Sequence, residues 1–285
     1  MILPYLNDES ITQFITTALK EDIGSGDHSS LGSIPADQTS SAMMLIKGDG
    51  ILAGMDLAKR IFNHVDPSLQ LDMLMKDGDR VSFGEIGFHV SGNARSILSS
   101  ERLVLNCLQR MSGVATYTHE LTQMIKGSGT RLLDTRKTTP NFRLPEKWAV
   151  AIGGGVNHRF GLYDMVMLKD NHIDYAGGVK TAIESTVAYL SENNLDLKIE
   201  VEVRNLKELK EVIKTGHVFR VLLDNMLPSD IRQALKLIGG TMETEASGGI
   251  NENNIREIAE TGVDYISVGA LTHSYKSLDI SLKAE

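Results

Sequence analysis

The sequence predicts an α/β protein in two parts, an N-terminal α+β domain followed by an α/β barrel domain, and three observations carry that prediction. The first is length: 285 residues exceed the roughly 100 to 200 of one ordinary domain. The second is a change of pattern. Short β-like runs between glycine turns fill residues 39–98, whereas after residue 130 a short apolar strand, a turn and an amphipathic helix recur. The third is spacing. Strand ends at 202, 224, 247 and 269 lie 22, 23 and 22 residues apart, the even βα repetition of a parallel barrel or an open doubly wound sheet, with the barrel preferred.

Each element follows in order. Residues 8–20 carry apolar positions at helical spacing until EDIGSGD, 21–27, breaks the helix with two glycines and leaves a loop with three acids. SAMMLI and RVSFGEIGFHV read as strands around KGDG, KDGD and SGN turns, with a short amphipathic stretch at 55–64 between them. Ser99 is placed to cap a long helix from residue 100 along Leu103, Leu105, Leu108 and Met111, which Ser112-Gly113 interrupts before a second stretch to about 126. The boundary is therefore put there: domain one is 1–113 with the tail 272–285, and the barrel is 114–271. In the barrel the strands are RLLD, MVMLK, KIEVEV, FRVLLD, ETEAS and YISVG. Two helix units rhyme, Asn205 to Thr215-Gly216 and Asn251 to Thr261-Gly262, with equal cap-to-cap spacing.

Composition limits the function. With 29 Lys+Arg against 37 Asp+Glu, a net charge of −8 disfavours nucleic-acid coating, and one Trp with no aromatic-interleaved basic run agrees. No apolar run approaches the roughly 18 residues of a membrane span, and no basic amphipathic helix suggests attachment to a surface. MILPYLNDES lacks the basic and apolar regions of a secretory signal, and Cys107 has no second cysteine to pair with, so a cytoplasmic location is expected. Set among Leu105, Leu108 and Met111, Cys107 reads as a buried helix cysteine rather than a nucleophile.

The chemistry is expected where strands hand over to loops. Those ends read Asp134-Thr135-Arg136-Lys137, Lys169-Asp170-Asn171-His172, Glu202, Asp224-Asn225, Ser247-Gly248-Gly249 and Val268-Gly269-Ala270, and IGGGVNHR adds His158 and Arg159. Residues 131–170 hold seven Lys+Arg against four Asp+Glu, a local +3 on an acidic chain. Arg136, Lys137, Arg159 and Lys169 thus suit a small substrate with more than one anionic group. Glu200 and Glu202 share one face of KIEVEV. With Asp224, Glu202 suits Mg²⁺ or sugar hydroxyls, the oxygen-only set being wrong for zinc, while a structural ion pair with a neighbouring lysine is the alternative. SGG and VGA let backbone N–H groups approach a phosphate, with the helix capped near Asn251 adding its dipole. No GxGxxG or GxxxxGK[ST] occurs. A polyanion patch, a metal or diol patch and a phosphate cradle in sequence suit a phosphorylated sugar meeting a carboxylated partner, and phosphoribosyl transfer is the chemistry they point to.

Taken together, EDIGSGD, ERLVLNCLQRMSGVAT, LLDTRKTTPNFR, EKWAVAIGGGVNHRFGLYDMVMLKDNH, IEVEV, LLDN, ASGGI and ISVGALTHS resemble the quinolinate phosphoribosyltransferase family over nearly the whole chain. The resemblance implies an incomplete barrel of the type II phosphoribosyltransferase kind. It also implies the conversion of quinolinate and phosphoribosyl pyrophosphate to nicotinate mononucleotide, pyrophosphate and CO₂ with Mg²⁺, in NAD biosynthesis. It gives quinolinate to Arg136, Lys137, His158, Arg159 and Lys169, with Thr135 beside them, and the ribose and Mg-pyrophosphate side to Glu202 and Asp224, with Lys137, Lys169, Glu202 and Asp224 as the catalytic set. It gives the 5′-phosphate to Ser247, Gly248, Gly249, Val268, Gly269 and Ala270. Arg102 resembles an arginine reaching into a neighbouring subunit's site, which implies at least a homodimer. The chain departs from the family at Ser29 or Ser30, where Thr is usual, and at Asn141, where Gly is usual. TTPNFRLPEKW is a candidate lid. Three alternatives stand beside this reading: a Schiff-base aldolase built on Lys169, a nicotinate transferase that does not decarboxylate, and a metabolite-binding regulator without turnover.

Overall fold

In the computed structural model, which describes residues 3–285, the pattern change at residue 130 separates two sheets of opposite kind. In chain order the elements of the first stretch are α1 (Asp8–Ile23), α2 (His28–Ser33), β1 (Thr39–Ile46), β2 (Gly50–Ile51), α3 (Met55–Val65), β3 (Gln70–Met73), β4 (Arg80–Val81), β5 (Ile86–Asn93) and α4 (Ala94–Met124). There follow β6 (Arg131–Leu133), α5 (Arg143–Ile152), β7 (Val166–Leu168), α6 (Asp170–Ala176), α7 (Val179–Glu192), β8 (Ile199–Val203), α8 (Leu206–Thr215), β9 (Arg220–Asp224), α9 (Pro228–Ile238), β10 (Glu243–Ser247), α10 (Ile255–Ala259), β11 (Tyr265–Ser267), α11 (Ala270–His273) and β12 (Ile280–Ala284). Packing groups residues through 119, 138–154 and 271–285 as one unit, and 120–137 with 155–270 as the other.

The first unit holds an antiparallel sheet in the order β12-β1-β5-β3, with β2 and β4 paired apart from it. Period-two burial along β1 puts Met44 and Ile46 inside, and Phe88 and Val90 of β5 join them. The apolar stripe of α3 supplies Leu57, Ile61 and Phe62, with the Phe62 ring edge-on to Phe88 at 5.7 Å. Cys107 is fully buried in α4, and burial pushes its thiol up to about 12, as expected of a packing cysteine.

Two expectations for α4 are corrected. The helix starts at Ala94, not at residue 100, because Asn93 caps it: its Oδ1 accepts from the N–H groups of Arg95 and Ser96. Nor does Ser112-Gly113 interrupt it. Ser112 instead hydrogen-bonds through its hydroxyl to Ala53, and a Cβ at Gly113 would collide with the backbone at Lys276. Glycine there serves close packing, not a break, and the 113/114 boundary falls inside one helix.

The second unit holds six parallel strands in the order β6-β11-β10-β9-β8-β7. Each strand neighbours the next in sequence except the first two, so a ring is written with one pairing missing, between β6 and β7. This is the incomplete α/β barrel. The segment after α5 lies in the opening: Val156 forms a parallel bridge to Leu133 of β6, and the Arg159 guanidinium donates to the Met165 carbonyl just before β7 at 3.0 Å. The outward face of the strands, Ile199, Val201, Val203, Val221, Leu223, Ala246 and Ile266, is buried and apolar. The inward face carries Glu200, Glu202, Arg220, Leu222, Asp224, Glu243, Glu245 and Ser247 in aligned register. Of the rhyming helices, α8 is capped by Asn205 as predicted. The second is shorter than its rhyme: the cap is Asn254, Asn251 lies in the preceding turn, and α10 spans five residues, too short for the expected dipole.

Candidate active site

All six strand ends deliver their residues to one edge of the parallel sheet. Asp134 to Lys137 follow β6, Lys169 follows β7 as the cap of α6, Glu202 lies near the end of β8, and Asp224 closes β9. Ser247 to Gly249 follow from β10, and Val268 to Ala270 follow β11. The two free edges, β6 and β7, bring the cations; the strands between them bring the carboxylates and the glycine turns.

At the β6 edge, Asp134 is fully buried and anchors the segment filling the opening. Its Oδ1 accepts the His158 backbone N–H at 2.8 Å, and its Oδ2 accepts Asn157 Nδ2 at 2.7 Å. This holds His158 and Arg159 beside Arg136, while Thr135 accepts the Lys137 N–H and tightens the turn. Burial first, and the charge of the neighbouring Arg136 second, lower the pKa of the Arg159 guanidinium. Arg136 Nε is buried with no hydrogen-bond partner. Two guanidinium groups held close, one with an unsatisfied donor, form a receptor for an anion with paired oxygens.

At the β7 edge, Lys169 Nζ donates to Glu202 Oε2 at 2.8 Å, the ion pair read from the sequence as the alternative role for Glu202. Lys169 is half-exposed and Glu202 nearly buried. With Nζ engaged by Glu202, the side chain is tied to a carboxylate rather than presented free to a carbonyl substrate, which weighs against the Schiff-base aldolase alternative. Next to Glu202, Asp224 accepts from Asn225 Nδ2 at 2.8 Å. Two oxygen donors on adjacent strands, each with one oxygen already engaged, are too few for a protein cage. They fit Mg²⁺ held mostly by water and substrate phosphate oxygens.

Deeper in the sheet lies a cluster that only partly showed in the sequence. His158 Nε2 is 2.9 Å from Glu200 and 3.4 Å from Glu245, and Arg220 is 3.3 Å from Glu245 and 2.7 Å from Glu243. The His158 ring is almost fully buried, so its Nε2 faces these carboxylates. Burial opposes charge on the ring, but the hydrogen bonds to Glu200 and then Glu245 outweigh it and push the His158 imidazole up to about 9. Burial, then the charge of Glu245, pushes Glu200 up to about 7. Among the described residues His158, Glu200 and Glu245 offer ligand atoms within 4.8 Å of one another, but Arg220 already neutralises part of that charge. Glu245 and Arg220 were missed; the signal was Glu243 and Glu245 two residues apart on one face of β10, with Arg220 opposite Glu243 on β9.

The positive mouth is smaller than the +3 count implied. Arg131 stands at the far end of β6, stacked on Tyr265, and Lys147 is fully buried in α5. The TTPNFRLPEKW segment is not a free loop. Glu146, buried, accepts from Thr139 N–H and from Arg110, and residues from 143 onward form α5. Asn141 takes left-handed backbone, φ 61, so asparagine does there what glycine does elsewhere. Arg102 is exposed on α4.

Models of the quinolinate phosphoribosyltransferase N-terminal and C-terminal domains match residues 14–112 and 114–283. The chain belongs to the quinolinate phosphoribosyltransferase family. Among relatives, the chloroplastic nicotinate-nucleotide pyrophosphorylase [carboxylating] of Arabidopsis thaliana is 48% identical over 286 residues, covering 95% of this chain and 82% of its own. A probable enzyme of the same name from Bacillus subtilis is 41% identical, covering 97% and 94%. The crystal structure of NadC from Streptococcus pyogenes superposes with a TM-score of 0.90 at 39% identity over 98% of this chain and 97% of that one. The corresponding structure from Francisella tularensis gives 0.89 at 40%, covering 98% of each. These solved structures share the two-part fold of this chain, its six-stranded parallel sheet included. No helix among the described residues is long and apolar enough to cross a membrane.

Proposed function

We infer that this enzyme transfers the phosphoribosyl group of phosphoribosyl pyrophosphate to quinolinate with decarboxylation, yielding nicotinate mononucleotide, pyrophosphate and CO₂ for NAD biosynthesis. The observation that carries the site assignment is the Arg136–Arg159 pair, because Arg136 Nε is buried and unsatisfied. A dicarboxylate placed there would occupy that donor and relieve the repulsion between the two guanidiniums.

In this reading Arg136, Arg159, Lys137 and Lys169, with Thr135 and the His158 segment framing the turn, hold the two carboxylates of quinolinate and orient the pyridine nitrogen. Ser247 to Gly249 and Val268 to Ala270 present backbone N–H groups to the 5′-phosphate. Glu202 and Asp224 face the ribose, where carboxylates stabilise positive character at the anomeric carbon as the carbon–oxygen bond to pyrophosphate breaks and the bond to nitrogen forms. Glu202 and Asp224 would hold Mg²⁺, directly or through the pyrophosphate, and the ion would supply neutralisation of charge on the leaving group. Ribosylation leaves the ring nitrogen positive, so the electron pair left at the adjacent carbon by loss of CO₂ is stabilised as an ylide. It then takes a proton. The protein's part is to fix the two carboxylates and shield the ring.

The test is an assay with quinolinate, phosphoribosyl pyrophosphate and Mg²⁺ that follows nicotinate mononucleotide and CO₂ together, with Arg136→Ala as control. Equal release of both, lost in the control, is expected. Nucleotide without CO₂ would indicate a non-decarboxylating transferase, and neither product would leave a binding protein. Omitting Mg²⁺ with chelator present is expected to stop turnover.

The proposal includes a homodimer in which the exposed Arg102 completes a neighbour's site. Mixing inactive Arg102→Ala and Lys169→Ala proteins is then expected to restore part of the activity through hybrid dimers; no recovery after subunit exchange counts against it. A cytoplasmic location, resting on the lone buried Cys107, is checked by fractionation, since plant relatives are named chloroplastic or mitochondrial.

A further inference from the structure

The turn from β9 into its loop carries a residue that the substrate contacts above leave unexplained. Asn225 is exposed and sits in left-handed backbone, φ 52. Three contacts converge on it. Its backbone N–H donates to the Ser247 carbonyl at 2.8 Å, extending the β9–β10 ladder one residue beyond the Asp224–Ser247 pair. Its side-chain Nδ2 donates to Asp224 Oδ2 at 2.8 Å. And its amide lies so close to Gly248 that a Cβ there would collide with it. Gly248 itself has φ 95, so it is glycine for two reasons, its own backbone and the room it leaves Asn225.

A side chain that serves only to tolerate left-handed backbone needs no partner, and glycine would serve better. This one is instead wedged between a strand-end carboxylate and a glycine turn on the next strand. A carboxylate rotates about its last bond unless one oxygen is fixed. With Oδ2 held by Asn225, Asp224 presents Oδ1 in one orientation, and the same amide sets its distance from the Ser247–Gly249 turn. We propose that Asn225 is a positioning residue which fixes the Asp224 carboxylate and the Ser247–Gly249 turn as one rigid receptor for the phosphoribosyl donor. The inference rests on the reading above that these two elements face that donor.

The test separates side chain from backbone. Asn225→Gly keeps the left-handed turn without strain and removes only the amide. Its melting temperature should match the parent, its affinity for phosphoribosyl pyrophosphate with Mg²⁺, measured by calorimetric titration, should fall about tenfold, the scale of one hydrogen bond to a charged group. Quinolinate affinity should be unchanged. Asn225→Asp, which keeps the shape but turns an acceptor towards Asp224, should weaken donor binding further. Gly248→Ala should reproduce the donor-specific loss in the parent, and add less in the Asn225→Gly background because the collision is gone. Equal donor affinity in the parent and Asn225→Gly would overturn the positioning role. Equal losses for both substrates with a lowered melting temperature would also overturn it, reducing Asn225 to a structural turn residue. A parent protein that binds no donor at all would overturn both this inference and the functional reading beneath it, whereas donor binding without turnover would overturn only the latter.

Discussion

Two clusters of charge in the parallel-sheet unit meet at the adjacent residues His158 and Arg159 yet are built on opposite terms. In the interior, His158, Glu200, Glu245 and Arg220 face one another, negative against positive, behind nearly complete burial. At the mouth, Arg159 feels the like charge of Arg136, and Arg136 keeps an unsatisfied Nε. The interior cluster is matched by the counter-charges within it; at the mouth Arg159 feels the like charge of Arg136 ahead of the carboxylates Glu200 and Asp164. The difference separates a region held by its own ion pairs from one in which, on the proposed reading, an incoming anion supplies the balance.

The comparison can be broken most forcefully from the interior. Arg220→Leu leaves Glu245 buried beside Glu200 without its cation, a change of about 3–5 kcal/mol. Thermal unfolding should show a fall of roughly 10 °C at 2–4 °C per kcal/mol; a shift under 2 °C would mean the network is not what holds the interior. Arg136→Ala should do the reverse, costing about 10²–10³-fold in kcat/KM for quinolinate, the worth of a paired, charge-assisted contact. Its melting temperature should hold or rise because a like charge is gone. Asp134→Asn joins the regions, since Asp134 carries the segment holding both His158 and Arg159. A loss of about 1–2 kcal/mol in stability together with a raised KM for quinolinate is expected, and a stability loss alone would limit Asp134 to the fold. The smallest effect is at Cys107. With its thiol pushed up to about 12 by burial, the native protein at pH 9 should resist thiol reagents that label the unfolded chain within minutes; rapid native labelling would show that α4 opens.

Much of this was legible because the relevant signals are periodic or local. The six strands and their ends follow from the recurring apolar run, turn and amphipathic helix, the two faces of KIEVEV from its alternation of residue types, and Glu202 with Lys169 from position alone. What could not be read needed three dimensions. Ser99 and Asn93 are equally good caps on paper; Asn93 wins because β5 ends on it and delivers the chain directly into α4. Gly113 looks like a breaker until the backbone at Lys276, distant in sequence, is found against it. Arg220 and Glu245 sit on different strands, so their pairing depends on parallel register, which residue types do not announce. The local +3 of residues 131–170 overcounted the mouth because a sum along the chain cannot tell the two ends of a strand apart.

The order of the two units along the chain has a further consequence. The polypeptide passes between them four times, at 119/120, 137/138, 154/155 and 270/271, and the excursion 138–154 leaves directly after Lys137 and returns just before His158. Neither unit therefore corresponds to a contiguous stretch of gene. A fragment cut after α4 would carry the antiparallel sheet without β12, and a fragment starting there would carry α5 without the unit it packs in. Swapping one unit between relatives would need all four junctions moved together, which ties the inheritance of the charged segments on either side of the excursion to that of the other unit.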